Sequence, residues 1–447
     1  MVITRLRLLV ICVYISVYLS SKIDEYKCPG TFIRTEDFEK IPRTGVLGAP
    51  VVEMGPCSTC VSVKSSWKLD STHEVLEMSV DVSQFSHNIS LRHLRAYYSN
   101  HNPFAVALIA PAMRYRFSLQ LEGYIDCDFA QHMDDLQRIL HYGTARPFEG
   151  NDRQYKRVHI DYNASTLNSR RRKSYGVASC FTGGVDATAT AFSWLQDLDY
   201  LLMASGVDVS DSNEKSFVVS TNNARSVANK LGKKLVIVRT NIKRAVFDVL
   251  EGHGAHWNWF HGGVIASTAH FISPWVRLLI ISSSFSYPSL FSDGRFFAWG
   301  TSPLTTPLYS TSQIYLKPDM DDLSRIEKIE YILKHPARDI FFDHARVCHQ
   351  TYHNFVGEGE HLNCGMCTKC NRTMTAIAAF GGQEFLDKAK TFPAQRRRNF
   401  IQNFVYSDNE LEQAYLPNFI DYCENRQKKE FRTEVCQKLI NHNQDLT

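Results

Sequence analysis

At 447 residues the chain can bury a large core and is long enough for two or more domains. With 44% hydrophobic and 21% charged residues it has the composition of a soluble globular protein. A net charge of +4 on this length is close to neutral, so charge alone gives no case for nucleic acid as a partner.

Arg5 and Arg7 precede an apolar run, Leu8–Leu19, and residues 1–23 have the layout of a secretory signal or a short anchor. The run is short for a membrane-spanning helix, and a buried strand would read the same way. The nucleotide chemistry and reduced thiolates argued below favour the cytosol, and a membrane is not an expected partner.

Residues 24–150 read as a separate, β-rich N-terminal module of unassigned role. Leu76, Met78, Val80 and Val82 alternate with polar residues, as do Phe117, Leu119 and Leu121, which predicts half-buried strands. Asp128–Tyr142 reads as a helix. Cys57 and Cys60 form a lone C-x-x-C, open to redox, metal or inert readings, of which two buried thiols is the default. Residues 151–173 are polar, end in the basic run Ser169–Lys173, and read as a linker.

From Tyr175 an apolar run ends at Phe181, followed by the turn Thr182-Gly183-Gly184 and then Val185, Asp186 and a helix-compatible segment. This is strand, glycine turn, helix N-terminus. The unpaired N–H groups and the positive end of the helix dipole make such a junction an anion site. Glycines let a phosphate approach the backbone, and an Asp just inside the helix can cap it or help hold magnesium. It is neither the Walker pattern nor the dinucleotide fingerprint.

Thr182-Gly183-Gly184-Val185-Asp186-Ala187 resembles the Ser-Gly-Gly-x-Asp-Ser loop of the PP-loop ATP pyrophosphatases. It departs at both serines: Thr182 keeps a hydroxyl and Ala187 does not, with Thr188 as a substitute one position on. The resemblance implies that ATP lies with its phosphates on Thr182, Gly183, Gly184, Val185, Asp186, Ala187 and Thr188. It implies Asp186 and Thr182 as the catalytic residues, with Mg2+ nearby.

Strands at Tyr200–Ser205, Lys234–Val238 and Leu278–Ser282 alternate with helical segments at Asn222–Leu231 and Gly262–Ile272. The expected fold is α/β: a parallel sheet flanked by helices, HUP- or PP-loop-like, over residues 174–320. Ligands of such sheets sit at the carboxyl ends of the strands, which aligns Thr182–Asp186, Ser205–Asp208 and Thr240–Asn241. The resemblance puts adenosine near the ends of the first two strands. Trp299–Thr311 reads as a proline- and hydroxyl-rich loop, and a helix opens at Asp321–Arg325 with Asp322 or Ser324 as its cap.

Residues 321–447 read as a helical, zinc-bearing region. Cys364-Gly365-Met366-Cys367-Thr368-Lys369-Cys370 places three thiols at i, i+3 and i+6, and Cys348 is the natural fourth ligand of a closed Zn2+ site. Buried free thiols or an iron–sulfur cluster are the alternatives. His344, His349, His353 or His361 could replace Cys348. Cys423 and Cys436 have no assigned partner.

The glycine turn followed by Cys-Gly-x-Cys-x-x-Cys, over residues 175–380, resembles 7-cyano-7-deazaguanine synthase-like proteins. That resemblance implies a structural zinc and queuosine-biosynthesis-like chemistry. The expected function is an ATP-dependent adenylating ligase, forming AMP and pyrophosphate on a small nucleobase-like or carboxylate substrate. A degenerate PP-loop binding protein without catalysis is the second reading, and a zinc-stabilised nucleic-acid binder the third. The expected cofactors are ATP, Mg2+ and Zn2+. The expected partner is a small molecule, and a homo-oligomer is left open.

Overall fold

The computed structural model describes residues 43–55, 57–144, 155–165, 175–207, 209, 214–251, 257–292, 295–296, 299–348, 362–398, 400–402, 416–426 and 433–446. All lie in one compact unit, Arg34–Thr447. The signal-like segment 1–23, the basic run Ser169–Lys173, Asp208, His349, His353 and His361 lie outside the described residues.

One sheet of 11 strands organises the chain. Its strands are β1 (Thr44–Leu47), β2 (Val51–Met54), β3 (Cys60–Leu69), β4 (Thr72–Asp81), β5 (Ser118–Asp126) and β6 (Ile160–Ser165), then β7 (Gly176–Cys180), β8 (Tyr200–Ser205), β9 (Lys234–Thr240), β10 (Val276–Ser282) and β11 (Tyr315–Asp319). The order is β11-β10-β7-β8-β9-β4-β3-β1-β5-β6, with β2 added on β3.

The expected parallel sheet exists from β11 to β9, where every neighbour is parallel. The sheet as a whole is mixed. At its middle β4 joins β9 antiparallel, with Met78 opposite Thr240 and Val80 opposite Val238. Asn241 continues the join: its side chain accepts from Glu77 N–H at 2.8 Å and donates to the Val75 carbonyl at 2.7 Å. The strands expected in a separate module therefore extend the same sheet. Their alternation works as the sequence predicts: Leu76, Met78 and Val80 are buried on one face, opposite Ser65, Val63 and Val61 of β3.

Two strands depart from expectation. Part of the expected linker, Ile160–Ser165, is an edge strand parallel to β5. Tyr315–Asp319 forms the opposite edge; Pro318 hides it in the sequence, and an edge strand tolerates the lost N–H.

The helices that matter for the site are α1 (Asn102–Tyr115), α2 (Cys127–Gly143), α3 (Val185–Ser193), α4 (Glu214–Lys230), α5 (Trp257–Ile272), α6 (Arg325–Lys334), α7 (Arg338–His344), α8 (Thr368–Lys388) and α9 (Glu434–Leu446). The small residues of α5 permit close packing: a Cβ on Gly263 would lie 2.9 Å from the Val106 carbonyl of α1, and one on Gly262 only 1.6 Å from the Gly300 carbonyl. Ser324, not Asp322, caps α6, in a capping box where its N–H donates to Glu327 at 2.7 Å. α8 is broken at Gly382 (φ 63°), beyond which a second helical stretch continues to Lys388.

One hydrophobic core spans both halves of the sheet, from Leu47 and Trp67 to Leu279 and Leu316. A second gathers α3, α6, α8 and α9 around Ile329, Met374 and Leu439. Cys57 is disulfide-bonded to Cys60, and Cys423 to Cys436, where the sequence suggested inert thiols and no partner. Among the described residues, no helix is long and apolar enough to cross a membrane.

Candidate phosphate cleft and metal centre

β7 ends at Cys180, and Thr182–Gly184 turns the chain into α3. Gly183 has φ +81°, the left-handed region that a side chain disfavours. Gly184 is the N-cap and carries no side-chain cap, so the first-turn amides have no partner from within the helix. The turn opens on a cavity of about 220 Å³ at the carboxyl ends of β7 and β10.

The cavity is lined by Thr182 and Gly184–Ala187 of the turn and helix start, by Trp257, His261 and Ile265 of α5, and by Trp299 and Thr301 of the following loop. Arg325, Arg346 and Lys369 complete it. The Trp299 ring packs edge-on against His261 at 5.8 Å and Phe285 at 4.9 Å, and His261 Nε2 lies 3.3 Å from the Thr301 hydroxyl. The cavity thus has a cationic end at the helix and an aromatic, hydroxyl-bearing end at the loop.

Asp186 is held from two sides. Its Oδ2 accepts from Arg325 at 2.8 Å, and Lys328 Nζ lies 3.4 Å from its Oδ1. Arg325 and Lys328 sit one turn apart on α6 and so present the same face. Lys328 is fully buried and also donates to the Ser283 carbonyl. Burial pushes the Asp186 carboxyl up, but the charges of Arg325 and Lys328 pull it further down, below the usual carboxylate value. Burial pushes the Lys328 ammonium down from its ordinary value, and Asp186 partly restores it.

Of the residues expected to bind phosphate, Thr182, Gly184, Val185, Asp186 and Ala187 line the cavity, and Gly183 shapes the turn behind them. Thr188 is not among the residues lining the cavity. It is buried in α3, and its hydroxyl donates to the Gly184 carbonyl at 2.8 Å. Ser205–Val207 and Thr240–Asn241 do meet at the sheet edge, where a Cβ on Gly206 would strike the Thr240 carbonyl at 1.9 Å. Neither segment lines this cavity, which lies toward β10 instead, and Asn241 is taken up in the sheet join.

The four cysteines converge. The sulfurs of Cys348, Cys364, Cys367 and Cys370 all lie within 4.8 Å of one another. Cys364–Cys370 and Cys367–Cys348 are 3.8 and 3.9 Å apart. Four thiolates about 2.3 Å from a tetrahedral zinc ion have edges of about 3.8 Å, so the donor set fits that metal. Gly365 at φ +68° makes the knuckle, and Met366 and Cys367 N–H both donate to the Cys364 sulfur at 3.3 Å. The neighbouring Cys367 thiol, sharing a proton with Cys348, together with burial, pushes the Cys348 thiol up to about 11. A dication is what would let these thiols ionise together. His344 is not a ligand; its Nδ1 bonds the Asn223 side chain at 2.9 Å.

Metal centre and cleft share a strut. Buried Asn363 accepts from Val347 and Cys348 N–H at 2.7 and 3.1 Å and donates to the Ala345 carbonyl at 2.8 Å. On the other side of the same segment, Arg346 N–H donates to the Gly183 carbonyl at 2.9 Å. Arg346 is two residues from Cys348, and Lys369 is adjacent to Cys370. The sequence singles out the Trp299–Thr311 loop but gives no site role to Arg325, Arg346 or Trp257. The Ser324-Arg325-x-x-Lys328 spacing, two cations one turn apart behind a cap, was the signal available.

Fold and site define an α/β protein with a mixed sheet, a cation-lined cleft at the ends of its parallel strands, and a four-cysteine centre able to hold a metal such as zinc. No protein-family model matches the chain, and no match emerges from a search of curated proteins.

Proposed function

We propose that the protein binds ATP in this cleft and adenylates a small substrate, releasing pyrophosphate, as the resemblance to the PP-loop ATP pyrophosphatases and deazaguanine synthase-like proteins implies. The observation that carries the reading is the meeting of the Thr182–Asp186 turn, the α3 N-terminus and Arg325, Arg346 and Lys369 on one cavity. Helix amides and fixed cations stabilise the charge of a departing pyrophosphate without reorganising. Trp257, His261 and Trp299 offer flat faces to a nucleobase-like group.

The test is pyrophosphate release from ATP by purified protein in the presence of candidate carboxylate substrates. Release that Asp186→Ala abolishes is the expected result. ATP binding without release in any mixture would favour the second reading, a nucleotide-binding protein without catalysis. That reading draws on Ala187 and on the inward-turned hydroxyl of Thr188.

The reading carries a cytosolic address, where ATP and free thiolates are found. The Cys57–Cys60 and Cys423–Cys436 disulfides belong chemically to oxidising compartments. Trapping thiols with an alkylating reagent at lysis decides between them: Cys57, Cys60, Cys423 and Cys436 all alkylated supports the cytosol, and both disulfides intact removes it.

A further inference from the structure

We propose that the cleft grips the phosphate tail through side-chain cations and helix amides directly, so that binding needs no divalent cation. The inference rests on the nucleotide reading of the cleft and names how that ligand is recognised.

Among the described residues lining the cavity, the one carboxylate is Asp186. In a metal-dependent site it would carry the magnesium. Here its Oδ2 bonds Arg325 at 2.8 Å and its Oδ1 faces Lys328 Nζ at 3.4 Å. Magnesium demands oxygen ligands at about 2.1 Å in near-octahedral geometry. To reach Asp186 it would displace a guanidinium and an ammonium that are themselves fixed. Arg325 is nine-tenths buried, and Lys328 is wholly buried against the Ser283 carbonyl. Driving both off the carboxylate would strand two buried charges, a cost of several kcal/mol.

The charge count points the same way. Among the described residues, Arg325, Arg346 and Lys369 line the cavity with Lys328 behind them, and the carboxylate there is Asp186. A bare phosphate tail suits this cation-rich lining. A magnesium-bound tail has already lost two of its negative charges. Arg325 also keeps an unused donor: its Nε is buried and has no hydrogen-bond partner. A buried guanidinium N–H without an acceptor costs free energy that an oxyanion in the cleft recovers. Together with the uncapped start of the nine-residue α3, this is a clamp made of protein atoms. Asp186 in it is a positioning residue that aims Arg325.

The experiment is calorimetric titration of the zinc-loaded full chain with ATP, and separately with inorganic pyrophosphate, each in buffer freed of magnesium beforehand, with no chelator present, and in excess magnesium. The expected result is ATP affinity in the magnesium-free buffer within about threefold of that in magnesium, or tighter. Lys369→Gln should weaken binding about tenfold in the magnesium-free buffer, with zinc content unchanged. Arg346→Gln serves as a second variant should that one fold poorly.

ATP binding in magnesium but not in the magnesium-free buffer overturns the clamp and leaves the nucleotide reading intact. Pyrophosphate binding in the magnesium-free buffer with no ATP binding in either buffer supports the clamp and removes the nucleotide. Absence of both ligands' binding in the magnesium-free buffer overturns the clamp.

Discussion

The backbone N–H of Arg346 donates to the carbonyl of Gly183 at 2.9 Å, tying the segment before Cys348 to the turn before α3. The turn is shaped by that bond and by the absence of a side chain at Gly183, where an added Cβ would come within 3.3 Å of the Arg346 Cβ at φ +81°.

Gly183 and Gly184 should therefore respond differently to alanine. Gly183→Ala forces a left-handed backbone and is expected to lose about 1–2 kcal/mol of stability. Gly184 has φ −73° and its nearest neighbour would be 3.6 Å away, so Gly184→Ala should melt like the parent. It should nonetheless bind nucleotide more weakly, because its methyl occupies the approach to the α3 amides. Thermal melting and calorimetry on both variants check this; equal affinity of Gly184→Ala and parent would take the ligand off the turn.

Metal analysis of the purified chain is expected to find about one zinc ion per chain, lost in Cys367→Ser, with no visible absorption from iron–sulfur. Chelation should lower the melting temperature. It should also weaken nucleotide binding, because Arg346 and Lys369 are held beside ligands Cys348 and Cys370. Unaltered nucleotide affinity in the metal-free chain would show that the strut stands without its metal.

Acid should destabilise the fold through its buried histidines. Burial pushes His270 and His101 below the ordinary imidazole value of 6.5. The Asn102 and Tyr309 carbonyls and the charge of Asp126 favour the proton on His270 without offsetting burial. The unfolded chain then takes up the proton first. Stability is full above 6.5 and is lost as pH falls through the depressed folded values. Melting temperature should fall from about pH 7 to about pH 5, less steeply in His270→Gln. A slope unchanged in that variant would acquit His270.

Gly262→Ala tests the packing of the aromatic wall. Its Cβ would meet the Gly300 carbonyl at 1.6 Å, backbone against backbone, so α5 must move away from the loop that carries Trp299 and Thr301. A loss of about 3 kcal/mol is expected from urea unfolding. A loss below about 0.5 kcal/mol would mean that the loop yields freely.

What could be read from the sequence was what is encoded locally. β8 falls at Tyr200–Ser205 as its apolar run predicts, and the glycine turn leads into α3 as its residues require. The four cysteines are close in sequence apart from Cys348, and they do converge. What was missed depends on neighbours distant in the chain. β11 carries Pro318, which only its edge position makes acceptable. Lys328 reads as a solvated helix cation until Asp186, 142 residues away in sequence, is seen to bury it. The α/β alternation pointed to a parallel sheet, and nothing in β9 announces that its far edge is taken by β4.

That last join has a practical outcome. Cutting the chain between β6 and β7 would strip β9 of its partner and expose a row of unpaired N–H and C=O groups, a template for indiscriminate strand pairing. It would also halve the shared core that runs from Trp67 to Leu316. The loop-bearing half cannot be excised as a minimal cleft-bearing fragment: expressed by itself, it should precipitate, and anyone seeking a smaller version must trim the ends and leave the seam alone.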